Sequence, residues 1–146
     1  MTRVDNSIEI KAPKEKVFAF VSDLEARPQW LKWAKGTQIT SLQRSGVGTT
    51  DREVMQVGPQ KQKTEGLITD YQEGYTIARR LTKGMDLTER ISVLNMGDAT
   101  KVALNIEYTP PMGKLGQLMD FLFMSKLLDQ LAEDSLTILK ERMEAR

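Results

Sequence analysis

The sequence predicts one α+β domain, a strongly curved antiparallel sheet of six to seven strands wrapped around a long C-terminal helix. Three observations predict it. From Thr37 to Thr109, runs of alternating apolar and polar residues follow one another across short glycine-marked turns, the pattern of an antiparallel meander. From about Lys114 to Glu144 the period becomes that of an amphipathic helix, with Leu128, Leu131, Ser135, Ile138 and Arg142 near helical spacing. Ahead of the meander stand one strand and two short helical stretches, each opened by a proline. With 146 residues the chain can bury one core, and residues 1–146 are read as a single domain.

The first strand is expected from about Arg3 to Lys11, with Val4, Ile8 and Ile10 on one face and Asn6 interrupting it. Ala12-Pro13 switches the period, because proline tolerates the first helical turn where its missing N–H would be unpaired anyway. The helix that follows carries Val17, Phe18, Ala19, Phe20 and Val21 and should be buried. Ser22 or Asp23 can cap the next helical stretch, which Pro28 opens and which holds Trp30, Leu31 and Trp33. Strands are then expected at about Thr37 to Gln43, Thr49 to Val57, Gln62 to Tyr71, Tyr75 to Lys83, Met85 to Leu94 and Thr100 to Thr109. Gly46-Val-Gly48, Gly58-Pro59, Glu73-Gly74, Lys83-Gly84 and Met96-Gly97-Asp98 supply the turns. Pro110-Pro111 ends the sheet.

Composition excludes several kinds of chemistry. The chain has no histidine and no cysteine. A Ser-His-Asp triad, a histidine- or thiolate-held zinc, a cysteine nucleophile and a disulfide framework are therefore impossible within it. No metal and no cofactor is expected. A net charge of +1 lacks the basic excess of a general nucleic-acid binder. The amino terminus has no signal-peptide run, and no stretch reaches the roughly 20 apolar residues that span a bilayer. The expectation is a cytoplasmic protein, monomer or homodimer, without stable membrane insertion.

The order of these pieces resembles the polyketide cyclase/dehydrase-like branch of the START-like (Bet v 1-like, SRPBCC) superfamily. The resemblance is carried by Ile8-Glu-Ile-Lys-Ala-Pro-Lys-Glu-Lys-Val-Phe-Ala-Phe-Val-Ser-Asp, by Pro28-Gln-Trp30 and by Gly46-Val-Gly48 ahead of a strand. It continues through Ile68-Thr-Asp-Tyr-Gln-Glu-Gly-Tyr75 and Met112-Gly-Lys-Leu-Gly116 to Leu136-Thr-Ile-Leu-Lys-Glu-Arg-Met-Glu144. It implies a helix-grip fold with a cavity between the sheet and the C-terminal helix. Members of the superfamily bind or act on lipids, polyketides, hormones and other largely apolar molecules.

Strand parity selects the side chains that face such a cavity. Met55, Leu81, Ile91, Leu104 and Ile106 are expected on its sheet wall. Trp30, Phe121, Met124 and Leu128 are expected on its helical side, although Trp30 and Trp33 also suit core packing. Phe121-Leu-Phe-Met124 is apolar on every side, as suits a ligand portal or a docking surface. Arg79 and Glu89 lie in phase with apolar neighbours, where an isolated charge is costly. A three-residue turn at Lys83-Gly84-Met85 sets them opposite each other, so they are expected to pair. Asp51, Glu53, Met55 and Val57 share a face in the same way.

The reading that follows is a protein that binds or carries a small, largely apolar molecule, lipid-, polyketide- or isoprenoid-like. Two alternatives stay open. One is a cyclase or dehydratase on a polyketide-like substrate, with Glu89, Arg79, Glu53 and Tyr108 as the available acid, base and orienting groups. The other is a module that docks a protein or membrane surface through Phe121 to Met124.

Overall fold

The computed structural model describes residues 2–109 and 117–145, and only the backbone at residue 60 and residues 117–122. Strand β1 (Thr2–Ile10) is followed by helix α1 (Lys14–Val21) and by a short 3-10 helix (Leu24–Gln29), here the connecting helix. Then come β2 (Ala34–Ile39), β3 (Thr50–Val57), β4 (Gln60–Gln72), β5 (Thr76–Lys83), β6 (Asp86–Asn95), β7 (Thr100–Thr109) and α2 (Gln117–Glu144). The strands form one seven-stranded sheet in the order β1-β7-β6-β5-β4-β3-β2, antiparallel at every pairing. Consecutive strands from β2 to β7 are neighbours, as the meander requires. β1 and β2 lie on opposite edges, so α1 and the connecting helix carry the chain across the sheet.

Register shifts at Ala34/Gly36, Glu65/Gly66 and Ile68/Asp70 place the irregularities in β2, β4 and their partners. Each such shift bends a strand and increases its twist, which curves this half of the sheet. α2 lies along β1 and reaches β3, seating Leu128, Ala132, Leu136 and Leu139 in the core. Polar ties fix it: Lys32 N–H donates to Ser135 Oγ (2.9 Å) and Lys11 N–H to Glu144 Oε2 (2.8 Å). Among the described residues no helix is long and apolar enough to cross a membrane.

Two boundaries differ from expectation. The second helical stretch begins at Leu24, ahead of Pro28, and Trp30 and Trp33 follow it. Asp23 starts it by accepting the backbone N–H of Glu25. Proline and tryptophan therefore close this element instead of opening it. β2 runs Ala34–Ile39 instead of Thr37 to Gln43. The chain leaves the sheet after Ile39, and Gly46 and Gly48 take positive φ in the loop that returns it to β3.

Candidate functional site

Among the described residues the inner face of the sheet is mainly apolar, and one cluster of charge interrupts it. Leu81, Leu87, Ile91, Val102, Leu104 and Ile106 are all buried there. In register with them, Arg79 on β5 stands opposite Glu89 on β6, and Glu89 opposite Ile106 on β7. Asp51 and Glu53 occupy the same face of β3. Above them the connecting helix presents Arg27. In a helix with three residues per turn, Leu24, Arg27 and Trp30 fall on one face. All three are buried, so Arg27 is carried into the interior with its apolar neighbours.

Arg27 joins two strands that are not neighbours. Its Nε donates to Glu53 Oε2 at 2.7 Å. Its Nη1 and Nη2 donate to the two oxygens of Glu89 at 2.6 and 3.0 Å. Thr37 on β2, opposite Glu53 in register, donates its hydroxyl to Glu53 Oε2 at 2.7 Å. Arg79 turns the other way, across β4. Its Nε and Nη2 donate to the two oxygens of Asp51 at 2.9 and 2.6 Å.

That crossing depends on Gly66. Gly66 is paired with both Asp51 and Leu81, and it lies under the Arg79 guanidinium. A Cβ there would sit 2.5 Å from Arg79 Nε and 2.7 Å from Cζ and Nη2. The missing side chain is the gap through which β5 reaches β3.

The expected Arg79–Glu89 ion pair is not formed. The two residues do face the same side and do stand opposite each other, but each carboxylate is claimed by a different guanidinium. Arg79 has Asp51 two strands away, and Glu89 has Arg27 from above. Among the described residues the cluster thus sets three carboxylates (Asp51, Glu53, Glu89) against two guanidiniums (Arg27, Arg79), one negative charge in excess. Arg79 Nη1 forms a longer ion pair with Glu53 Oε1, at 3.7 Å. Trp30 Nε1, by contrast, is buried without a hydrogen-bond partner among the described residues.

Burial works to raise the pKa of Glu53, but the charges of Arg27 and Arg79 and the bonds from Arg27 and Thr37 hold it below its ordinary 4.5. Burial also opposes the charge of Arg27, and Glu53 and Glu89 hold it protonated. The sign of the pH effect follows. Just below pH 4.5 the unfolded chain takes up a proton at Glu53 that the fold resists, so stability rises with pH there. The contribution is complete above the ordinary value and is lost as pH falls through the lower, folded one. Urea unfolding followed by circular dichroism should show little Glu53-linked change from neutrality down to about pH 5 and a decline below it. The decline should be shallower in Glu53→Gln. An equally steep decline in the variant would assign the acid sensitivity to other carboxylates.

Of the other expected wall residues, Trp30, Met55 and Leu128 are also buried, and Met124 is half-buried. Tyr108 is buried on the inner face of β7. The side chain of Phe121 lies outside those described, while Phe123 is 66% exposed. Among the described residues two clefts open on the surface. One, of about 260 Å³, lies between Ile138 and the end of the connecting helix with the residues that follow it. The other, of about 460 Å³, lies between the start of α1 and the β6–β7 turn. Of the expected wall residues that are described, only Trp30 touches either of these clefts. Among the described residues no group of acidic side chains is arranged to hold a metal ion.

Over residues 1–144 the sequence matches the family described as polyketide cyclase / dehydrase and lipid transport. The chain belongs to that family. Solved structures of similar shape include a START superfamily protein from Mycobacterium smegmatis, 22% identical with a TM-score of 0.78 over 97% of both chains. A protein from Thermus thermophilus is 23% identical with a TM-score of 0.81, again over 97% of both chains. The Zhui aromatase/cyclase from a Streptomyces species has a TM-score of 0.84 at 13% identity, over 98% of this chain and 93% of that one. At these identities the likeness establishes the START-like helix-grip fold. No curated protein matches the chain in sequence.

The sequence reading missed Arg27 as a member of the cluster. The available signal was its phase, since Leu24, Arg27 and Trp30 recur every third residue. That signal was hidden by starting the helix at Pro28.

Proposed function

We propose that this family member binds and carries a small, largely apolar molecule in its interior, between the sheet and α2. The observation that carries this reading is how fully the carboxylates are engaged. Both oxygens of Glu89 accept from Arg27, both oxygens of Asp51 accept from Arg79, and Glu53 is held ionised between Arg27 and Thr37. A general acid needs a proton to give, and a general base needs a free lone pair and a pKa near the working pH. Glu53 is held ionised by its partners and has no proton to give, and both oxygens of Glu89 are committed to Arg27, which weakens the cyclase and dehydratase alternative. What the apolar wall offers is burial for a ligand. The family description, which includes lipid transport, agrees with this reading.

The test is native mass spectrometry of protein purified gently from the organism that makes it. The expected result is a population heavier than the bare chain by the mass of one small molecule, released on denaturation and extractable into organic solvent. Only bare chain, together with no uptake of the neutral apolar dye Nile red, would overturn the proposal. The docking alternative rests on a different observation, the exposure of Phe123. It would be favoured if the dye failed to bind while the protein bound vesicles.

A further inference from the structure

We propose that the outer face of β3, β4 and β5, together with the loop that joins β2 to β3, docks on an anionic lipid bilayer. The inference concerns the outside of the sheet and stands or falls apart from the ligand-binding reading.

Two observations carry it. The first is charge. Asp51, Glu53 and Met55 are buried on the inner face of β3, so alternation turns Arg52 and Val54 outward. Register sets Lys63 and Lys61 of β4 on that outer side, opposite Val54 and Gln56, and Arg80 of β5 opposite Leu67. Arg52, Lys61, Lys63 and Arg80 are all exposed, and none forms an ion pair among the described residues. Glu65, opposite Arg52, is the carboxylate that stands among them. At the margins charges cancel: Asp70 is bonded to Arg90 and Glu25 to Arg44, while Lys83 and Asp86 flank one turn. Four cations against one carboxylate is a local excess, since the whole chain carries only +1.

The second observation is an apolar tip. Leu42 is fully exposed and Val47 is exposed beside it in the loop between β2 and β3. That loop is bonded to itself and to the sheet. Gln43 Nε2 donates to the carbonyls of Ser45 and Val47 at 2.8 and 2.6 Å, and Gly48 N–H donates to the carbonyl of Ile68 at 2.9 Å. At its base the hydroxyls of Thr40 and Thr50 are bonded at 2.8 Å. Thr50 is opposite Leu67, and Leu67 is opposite Arg80. With strands about 4.8 Å apart, Arg80 lies about 10 Å from Thr50 across the sheet. Arg52 is two residues further along β3. The tip and the cations therefore belong to one surface.

The combination selects the occupant. A soluble acidic partner would use the cations and leave Leu42 and Val47 in water. An anionic bilayer answers both, since its headgroups attract lysine and arginine and its acyl boundary receives apolar side chains. A protein docked in this way stands beside the phase in which apolar molecules concentrate.

The experiment is cosedimentation with phosphatidylcholine vesicles, with and without about 30% phosphatidylglycerol. The parent should bind the anionic vesicles at least about tenfold more tightly than the neutral ones, and raising the salt to about 0.5 M should release it. Leu42→Ser, and separately the double variant Lys63→Gln with Arg80→Gln, should each lower that binding by about tenfold. All of these side chains are exposed, so circular dichroism should show the parent fold in each variant. Phe123→Ser should bind as the parent does. No binding by the parent, or equal binding to neutral vesicles, overturns the proposal. Binding lost in Phe123→Ser and kept in Leu42→Ser moves the contact to α2 and also overturns it. Binding lost in the double variant but untouched by Leu42→Ser would make the face a site for a soluble polyanion, and the membrane assignment fails. Nile red uptake in the absence of vesicles tests the ligand-binding reading separately.

Discussion

Replacing Arg27 with methionine is expected to lower the unfolding free energy by about 3–5 kcal/mol, the usual loss when a buried ion pair keeps only one partner. Arg27 donates to Glu53 and to Glu89, and all three side chains are buried. Methionine approximates the volume of the stem, so the loss is electrostatic more than steric. It strands Glu89 outright, leaves Glu53 with Thr37 and a distant Arg79, and raises the excess of negative charge. Glu89→Gln should be much milder, about 1–2 kcal/mol, because Arg27 retains Glu53 and the cluster becomes charge-balanced. It should leave the Arg79–Asp51 bond untouched. Urea unfolding of both variants checks the contrast. Equal losses would mean that Arg27 matters as volume and not as charge.

Gly66→Ala is expected to cost about 3 kcal/mol, at the lower edge of what breaking a buried pair removes. Adding one methyl to a surface strand is ordinarily trivial. Here the new carbon would meet the Arg79 guanidinium at 2.5–2.7 Å. The tip of an arginine can usually swing aside, but this one is held by two bonds to Asp51 in a closed interior. Either the bonds break or β4 moves. The double variant Gly66→Ala with Arg79→Met should cost less than the sum of the two single changes. Strict additivity in unfolding experiments would show that Gly66 and Arg79 do not oppose one another. Gly36, where an added Cβ meets nothing within 4 Å, is the control on another strand.

These effects mark the limit of what the sequence alone makes legible. The meander, the long helix and the inward faces of β3, β5, β6 and β7 all follow from periodicity and turn residues. Each is local or depends on the two-residue alternation alone. That Asp51, Glu53, Arg79 and Glu89 share one buried face was legible for the same reason. Which acid pairs with which base was not. Register placed Arg79 opposite Glu89 correctly, and direct opposition is the natural first guess for a pair. The choice was made by groups outside that ladder. A gap at Gly66 lets Arg79 reach past a strand, and a residue far away in sequence, Arg27, arrives from above. Neither leaves a periodic trace in the strands themselves.

The Asp51–Arg79 bond and the Glu53–Arg27–Glu89 bridge both link strands that do not touch. The first ties β3 to β5 over β4, and the second ties β3 to β6 through the connecting helix. A sheet held only by its ladders can fray from an edge, one strand at a time. Here β4 cannot peel from β5 without drawing β3 and its charges away from Arg79 and Arg27. The β2 side of the sheet is therefore coupled to its centre, and fluctuations that would open the curved half separately are merged into larger, rarer ones. The charged groups of the interior are therefore guarded by the sheet as a whole, since no single strand can open by itself.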